Sequence, residues 1–208
     1  LIQKFPKTRF AAVTDSETSA RALSQAASAA GLTVDLYLDM DCGMHRTGIA
    51  PEKAMPLVRF VRDTAGLYFR GLHAYDGHIA DIDGAVRTKR VEDAFGPVDA
   101  LRTEVEKELG HSIIVVAGGS PTYRIHAKRG DAECSPGTFA LWDRNYQRIM
   151  PEEPFQPAAF VLTRVVSIPT EDRLTLDLGH KSIASENPHP RVYFPALPEA
   201  TAVGHSEE

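Results

Sequence analysis

Arg46 lies in the run Asp39-Met-Asp-Cys-Gly43-Met-His-Arg46-Thr-Gly48-Ile49, directly after a strand-like segment from Val34 to Met40. Strand ends on the carboxyl side of an α/β barrel carry the chemistry, and an arginine with glycine at the next-but-one position can lie close under a planar ligand. The plain alternative is a βα turn with a surface arginine. Three further strand ends carry polar residues that converge if the segments form a barrel. In Gly71-Leu-His-Ala-Tyr75-Asp-Gly77-His78, alternation places His73 and Tyr75 on one face. A tyrosine hydroxyl there can bond a phosphate, or it can simply cap the core at the rim. In Gly118-Gly119-Ser120-Pro-Thr122 the glycines free successive N–H groups to face an anion, and two hydroxyls add donors. A P-loop lysine is missing, so a nucleoside triphosphate is a poor fit. Gly137-Thr138, after Cys134-Ser-Pro, repeats the theme at what reads as a strand start and would give the same anion a second wall.

The elements that must hold these residues can be read from pattern. Arg9 to Val13 reads as a buried strand, with Thr14-Asp-Ser16 as the N-cap cluster of a helix from Glu17 to about Ala30, closed by Gly31. Val34 to Met40 is the next strand, and a helix from Pro51 to about Ala65 starts on its proline. Tyr68 to Tyr75 is a third strand, with Gly71 signalling close backbone approach. Asp83 to Leu109 has the longest helical pattern, with a break expected near Gly96-Pro97, and Ser112 to Ala117 is a fourth strand. Alternation of strand and helix predicts a parallel sheet with crossover helices, barrel or open. After Pro151 prolines punctuate short β-rich runs such as Ala159 to Ile168 and Leu174 to Leu178, which predicts a second, antiparallel β domain.

At 208 residues, 43% hydrophobic and 25% charged, the chain can bury a sizeable core. A net charge of −5 offers no basic field, which excludes nucleic acid as the expected partner. Cys42 and Cys134 are too few for a disulfide framework or a zinc knuckle, so a cytoplasmic setting is the expectation. No apolar run reaches the roughly 18 residues of a membrane span, and Leu1 to Phe10 lacks a signal-peptide pattern. A start at Leu1 instead of Met reads as part of a longer polypeptide.

Taken together and in this order, the four strand ends resemble the D-threonine aldolase and D-serine dehydratase family, whose barrel is similar to the amino-terminal domain of alanine racemase. The resemblance runs over nearly the whole chain and includes Asp177-Leu-Gly179-His-Lys181 and Gly204-His205-Ser-Glu-Glu208, which match its β-domain signatures. It implies a partial (β/α)8 TIM-type barrel over residues 1–150, followed over 151–208 by the start of a C-terminal antiparallel β domain. It also implies a lyase that uses pyridoxal phosphate. Arg46 would bond the cofactor's phenolic oxygen and, with His78, act in catalysis. Tyr75, Gly118, Gly119, Ser120, Thr122, Gly137 and Thr138 would bind the cofactor. The family's cofactor-bearing lysine belongs to a strand before Leu1; Lys4 and Lys7 do not occupy that motif, and Lys181 matches a structural position. A divalent metal, manganese or zinc, would be held by residues beyond Glu208. His205, Glu207 and Glu208 resemble a metal cluster, but carboxylates of this kind are usually solvated.

The implied reaction is the metal-assisted cleavage of D-threonine and related D-3-hydroxy amino acids to glycine and an aldehyde by a carbon–carbon lyase. A D-serine dehydratase is the alternative, followed by an amino-acid racemase or a pyridoxal phosphate-binding protein without catalysis. A homodimer is implied, the β domain of one subunit closing the other's site.

Overall fold

In the strand β2 (Val34–Met40), Val34, Leu36, Leu38 and Met40 are buried on one face while Asp35, Tyr37 and Asp39 occupy the other, the period-two pattern of a strand with two unlike faces. The structure, a computed structural model, describes residues 1–183, 185 and 187–207. It divides into two compact units, one over residues 1–138 and one from Phe139 on.

In the first unit β2 lies between β1 (Ala11–Thr14) and β3 (Leu67–Ala74), and β4 (Ile114–Ala117) and β5 (Glu133–Cys134) follow; all neighbours run parallel in the order β1-β2-β3-β4-β5. A helix crosses over between each pair: α1 (Glu17–Ala29), α2 (Met55–Asp63), α3 (Gly84–Leu109) and α4 (Tyr123–Arg129). Sequential parallel strands joined by helices are the repeating step of the TIM-type barrel, and five strands of one are present. The core lies between sheet and helices, with Leu36, Leu38 and Leu72 meeting Val58 of α2 and Val91 and Phe95 of α3.

Local chemistry explains the boundaries. Ser16 caps α1 by accepting from the Ser19 N–H, and Asp83 caps α3 by accepting from the N–H groups of Ala85 and Val86. Gly71 is buried at the tightest approach in the sheet, where a Cβ would overlap the Ile114 carbonyl oxygen.

Three sequence expectations need correction. The helix expected from Pro51 to Ala65 is a 3-10 turn, Pro51–Lys53, followed by α2, because Pro56 has no N–H and its ring crowds the carbonyl of Glu52. No break occurs near Gly96-Pro97: α3 is continuous over 26 residues. Gly96 has no Cβ to clash with the proline ring, and Val91, Phe95, Val98, Leu101 and Val105 pin both halves to the core. Gly137-Thr138 follow the end of β5 instead of starting a strand, and Thr138–Ala140 form a 3-10 turn.

The second unit holds the short helix α5 (Arg144–Ile149), a small core of Trp142, Ile149 and Met150 with Phe155 packed on it, and an antiparallel hairpin of β6 (Val165–Thr170) and β7 (Arg173–Leu176). Asp177 clamps the hairpin base, accepting from the Thr163 hydroxyl, the Arg164 N–H and the Arg164 guanidinium. The two β-domain signatures lie side by side: the His180 N–H donates to the Ser206 carbonyl at 3.0 Å, and Lys181 pairs with Glu207 at 2.6 Å. Glu208 lies outside the described residues. Among the described residues no helix is long and apolar enough to cross a membrane.

Candidate active site

The register of β2 on β3 builds the site. A bulge between Leu36 and Tyr37 shifts the pairing, after which Asp39 stands opposite His73 and Met40 opposite Ala74. Met40 and Ala74 therefore face the core, and Asp39 and His73 face the other way. Their side chains meet, His73 Nδ1 to Asp39 Oδ1 at 2.7 Å, and the Thr47 hydroxyl donates to the second carboxylate oxygen at 2.8 Å. Burial pushes the Asp39 carboxyl up, but the bonds from His73 and Thr47 and the nearby Arg46 charge outweigh it and hold it below the usual carboxylate range.

The segment from Asp41 to Gly48 is a closed excursion from β2. The Asp41 N–H donates to the Ile49 carbonyl and the Ile49 N–H to the Asp39 carbonyl, so the chain returns to where it left. Asp41 sets its shape, accepting from the N–H groups of Gly43 and His45 at 2.9 and 3.0 Å and from the His45 ring at 2.7 Å. The His45 N–H is the largest influence on that carboxyl; with its companions it overcomes burial and holds the group down to about 2. His45 is thereby kept at φ 56, a left-handed conformation rare outside glycine. Gly48, at φ 103, is required for closure, since a Cβ would stand 2.7 Å from the Met40 carbonyl carbon.

This loop carries Arg46 outward and over the Tyr75 ring, its guanidinium carbon 5.0 Å from the ring centroid. Among the described residues no carboxylate lies within ion-pair distance of Arg46. Arg46, Tyr75, His73, Asp39, Asp41 and Thr47 line one narrow cleft together with Met44. The Tyr75 ring folds across Gly77, where a Cβ would overlap its hydroxyl, and against Gly119, where a Cβ would lie 3.3 Å from Cε2. The ring therefore joins the arginine loop to the glycine loop, and its hydroxyl makes no hydrogen bond among the described residues.

The sequence-predicted residues are distributed unequally. Arg46, Tyr75 and Gly119 are brought together directly. Ser120 is buried next to them, its hydroxyl bonded to no other described residue. The Gly119 N–H and the Thr122 hydroxyl, both expected to face an anion, instead donate to Asp76 Oδ1 at 2.9 and 2.6 Å. Gly118 takes φ 91 and donates back to the Ala74 carbonyl. Gly137 and Thr138 follow β5 on the same edge of the sheet. His78 is not among the residues lining the cleft; it lies by the arginine loop, where a Cβ on Gly43 would be 3.2 Å from its Nε2, and its buried Nδ1 has no hydrogen-bond partner among the described residues. Cys42 is a packing residue: burial pushes its thiol up to about 12, and it donates to the Tyr75 carbonyl.

Sequence reasoning left three residues unassigned. Asp39 could have been found from the alternation of β2, as His73 was from that of β3. Asp76 and His126 had no such signal. They are 50 residues apart, both fully buried, and joined from His126 Nε2 to Asp76 Oδ2 at 2.8 Å.

A phosphate-bearing planar cofactor can be tested against this geometry. An arginine without an ion-paired carboxylate and a serine hydroxyl without a partner among the described residues, a tyrosine face, and a glycine at 119 that lets this ring pack on the loop all suit such a group. No lysine is among the residues lining the cleft. Among the described residues no cluster of three or more His, Cys, Asp or Glu side chains is placed to hold a metal ion. His205 sits beside His189, ring centroids 5.4 Å apart.

Residues 2–143 match the family model described as alanine racemase, N-terminal domain. The chain belongs to that family. Residues 158–208 match a second model, a putative serine dehydratase domain, and this pairing places the chain with the D-threonine aldolase and D-serine dehydratase branch of the alanine racemase-like proteins. A D-threonine aldolase from an Arthrobacter species is 28% identical over 176 residues, covering 82% of this chain and 46% of that protein. A 3-hydroxy-D-aspartate aldolase from Paracoccus denitrificans is 27% identical over 183 residues, covering 82% of this chain and 47% of that protein. The crystal structure of D-threonine aldolase from Filomicrobium marinum superposes with a TM-score of 0.78 at 29% identity, covering 88% of this chain and 50% of that one. The chain thus spans about half the length of the relatives it matches.

Proposed function

We propose that the protein carrying this chain is a pyridoxal phosphate-dependent lyase of D-3-hydroxy amino acids, and within that class a metal-assisted D-threonine aldolase that releases glycine and acetaldehyde. The observation that carries the reading is Arg46, held over Tyr75 beside the glycine loop and within ion-pair distance of no carboxylate among the described residues. When bound, pyridoxal phosphate supplies an electron-poor ring that takes up the electron pair left at the substrate's α-carbon. The residues of this chain bind and orient. Arg46 would hold the phenolic oxygen by a charge-assisted bond, and Tyr75, Ser120, Gly137 and Thr138 would receive the phosphate, the Gly118 N–H being committed to the Ala74 carbonyl. Asp39 fixes His73 through Nδ1, which leaves Nε2 as that ring's remaining hydrogen-bonding atom in the cleft. His78, with its unpartnered nitrogen, is the second proposed proton-holding group.

The choice of aldolase follows the D-threonine aldolase and 3-hydroxy-D-aspartate aldolase relatives. A dehydratase has its own support in the match of residues 158–208 and in a D-serine dehydratase from Dictyostelium discoideum, 24% identical over 165 residues, covering 73% of this chain and 41% of that protein. For an aldolase a base takes the β-hydroxyl proton and the Cα–Cβ bond opens; for a dehydratase the α-proton and the β-hydroxyl leave. The same reading includes a manganese or zinc ion, a homodimer and a cytoplasmic setting.

The test is product identification. The full-length protein is given D-threonine and D-serine with pyridoxal phosphate, with and without a chelator. Glycine and acetaldehyde that vanish on chelation support a metal-assisted aldolase. Keto acid and ammonia make the protein a dehydratase, and turnover of neither substrate removes the lyase reading.

A further inference from the structure

The glycine loop between β4 and α4 is shaped from inside by a buried carboxylate. Asp76, fully buried just past the end of β3, accepts the Gly119 N–H and the Thr122 hydroxyl on Oδ1 and the His126 ring on Oδ2. Burial pushes this carboxyl up, yet the bonds from His126, Thr122 and Gly119 outweigh it and hold the group below the usual carboxylate range. A carboxylate has no proton to give, so the Nε2–H of His126 is the donor. That ring is itself fixed: it is fully buried, it packs on Phe95 with centroids 4.3 Å apart, and a Cβ on Gly118 would meet its Cδ2 at 3.0 Å. The loop is therefore gripped from β3 by Asp76 and from α4 by His126.

Two donors that could face an anion are committed to this grip, and Ser120 between them has a hydroxyl bonded to no other described residue. We infer that Asp76, held by His126, is a positioning residue that sets the Gly118–Thr122 loop so that Ser120 can receive the phosphate of a phosphorylated ligand. Asp76 touches no ligand atom itself. The inference rests on the proposal that this loop is the phosphate site.

Its test separates the phosphate from the rest of the ligand. Equilibrium binding of pyridoxal phosphate and of pyridoxal, which lacks the phosphate, is measured by ligand fluorescence on the full-length protein and on Asp76→Asn. The neutral amide is a weaker acceptor for Gly119 and Thr122, and its NH2 group opposes the His126 N–H. Charge-assisted bonds are about twice as strong as neutral ones, so the preference for pyridoxal phosphate over pyridoxal is expected to fall about tenfold while pyridoxal binding stays within about twofold. Should Asp76→Asn not fold, His126→Leu, which removes the donor to Oδ2 and leaves the Gly119 and Thr122 bonds to Oδ1, is read the same way. His126→Gln, which keeps an N–H, is expected to restore most of the preference. Equal weakening for both ligands, or none for either, overturns the inference. A wild-type protein that binds both ligands equally overturns the phosphate site and the inference with it.

Discussion

Replacing Arg46 by alanine separates a binding role from a structural one, because the two predict different magnitudes. The guanidinium is exposed, pairs with no carboxylate among the described residues, and touches the protein mainly through the Tyr75 ring at 5.0 Å. A cation–π contact of that exposure stabilises by about 0.5–1 kcal/mol, and about 1 kcal/mol moves the melting temperature of a protein of this size by roughly 2–4 °C. A charge-assisted bond to a ligand oxygen is worth about 1.5–3 kcal/mol, which is roughly 10- to 150-fold in an equilibrium or rate constant. On the proposed aldolase reading, Arg46→Ala is therefore expected to lower kcat/KM for D-threonine by at least about tenfold while the melting temperature falls by no more than about 4 °C. Arg46→Lys keeps the charge but not the planar fork and should fall between. Aldehyde release is followed in a coupled assay and unfolding by circular dichroism. Turnover of Arg46→Ala within about twofold of wild type, or a melting temperature lowered by much more than the contact can supply, would refute the argument.

Three more outcomes follow from the same geometry. Converting Ser120 and Thr138 to alanine together should raise the pyridoxal phosphate concentration for half-saturation by about tenfold, as expected for losing hydrogen bonds to a charged group; an unchanged titration places the phosphate elsewhere. Gly71→Ala forces a Cβ into the Ile114 carbonyl and should cost about 3 kcal/mol in urea unfolding by overpacking; full retention of stability would contradict the β3–β4 register. Asp41 has a carboxyl held at about 2 against an ordinary 3.8, so it contributes stability that is fully present above about 3.8 and is lost as the pH falls towards 2. In Asp41→Asn that part of the acid dependence should be missing, and superimposable melting curves of the two proteins between pH 5 and pH 2 would show that the turn does not depend on the carboxylate.

The middle of the sheet was legible because its strands carry their own local signal, whereas the two-residue β5 has none and β1, expected to be buried, leaves Val13 exposed at the edge. Val34–Met40 alternates cleanly, Ser16 caps its helix, and Gly71 marks the approach it permits. Proline was less reliable as a guide, since its effect depends on what the neighbouring residue lacks. Pro56 splits a helix where the ring crowds a carbonyl, whereas Pro97 is carried within α3 because Gly96 has no Cβ and five buried side chains hold the helix on both sides.

At the site, sequence identifies residues that can donate but not where their donors go. Gly119 and Thr122 have the right chemistry for an anion and occur at the right strand end, yet both are turned inward to Asp76, a partner more than 40 residues away. Hydrogen bonds between distant residues leave no periodicity in a sequence, so the pair of Asp76 and His126 could not be read from it. Arg46 is the opposite case. Its loop is closed by Asp41 and Gly48 within a few residues, and the same local pattern that made the motif conspicuous also builds its geometry. The site thus combines a locally encoded cation with a glycine loop that is shaped from a distance. Substitutions at Asp76 or His126 should therefore disturb the phosphate while leaving Arg46 in place, and substitutions at Asp41 should do the reverse.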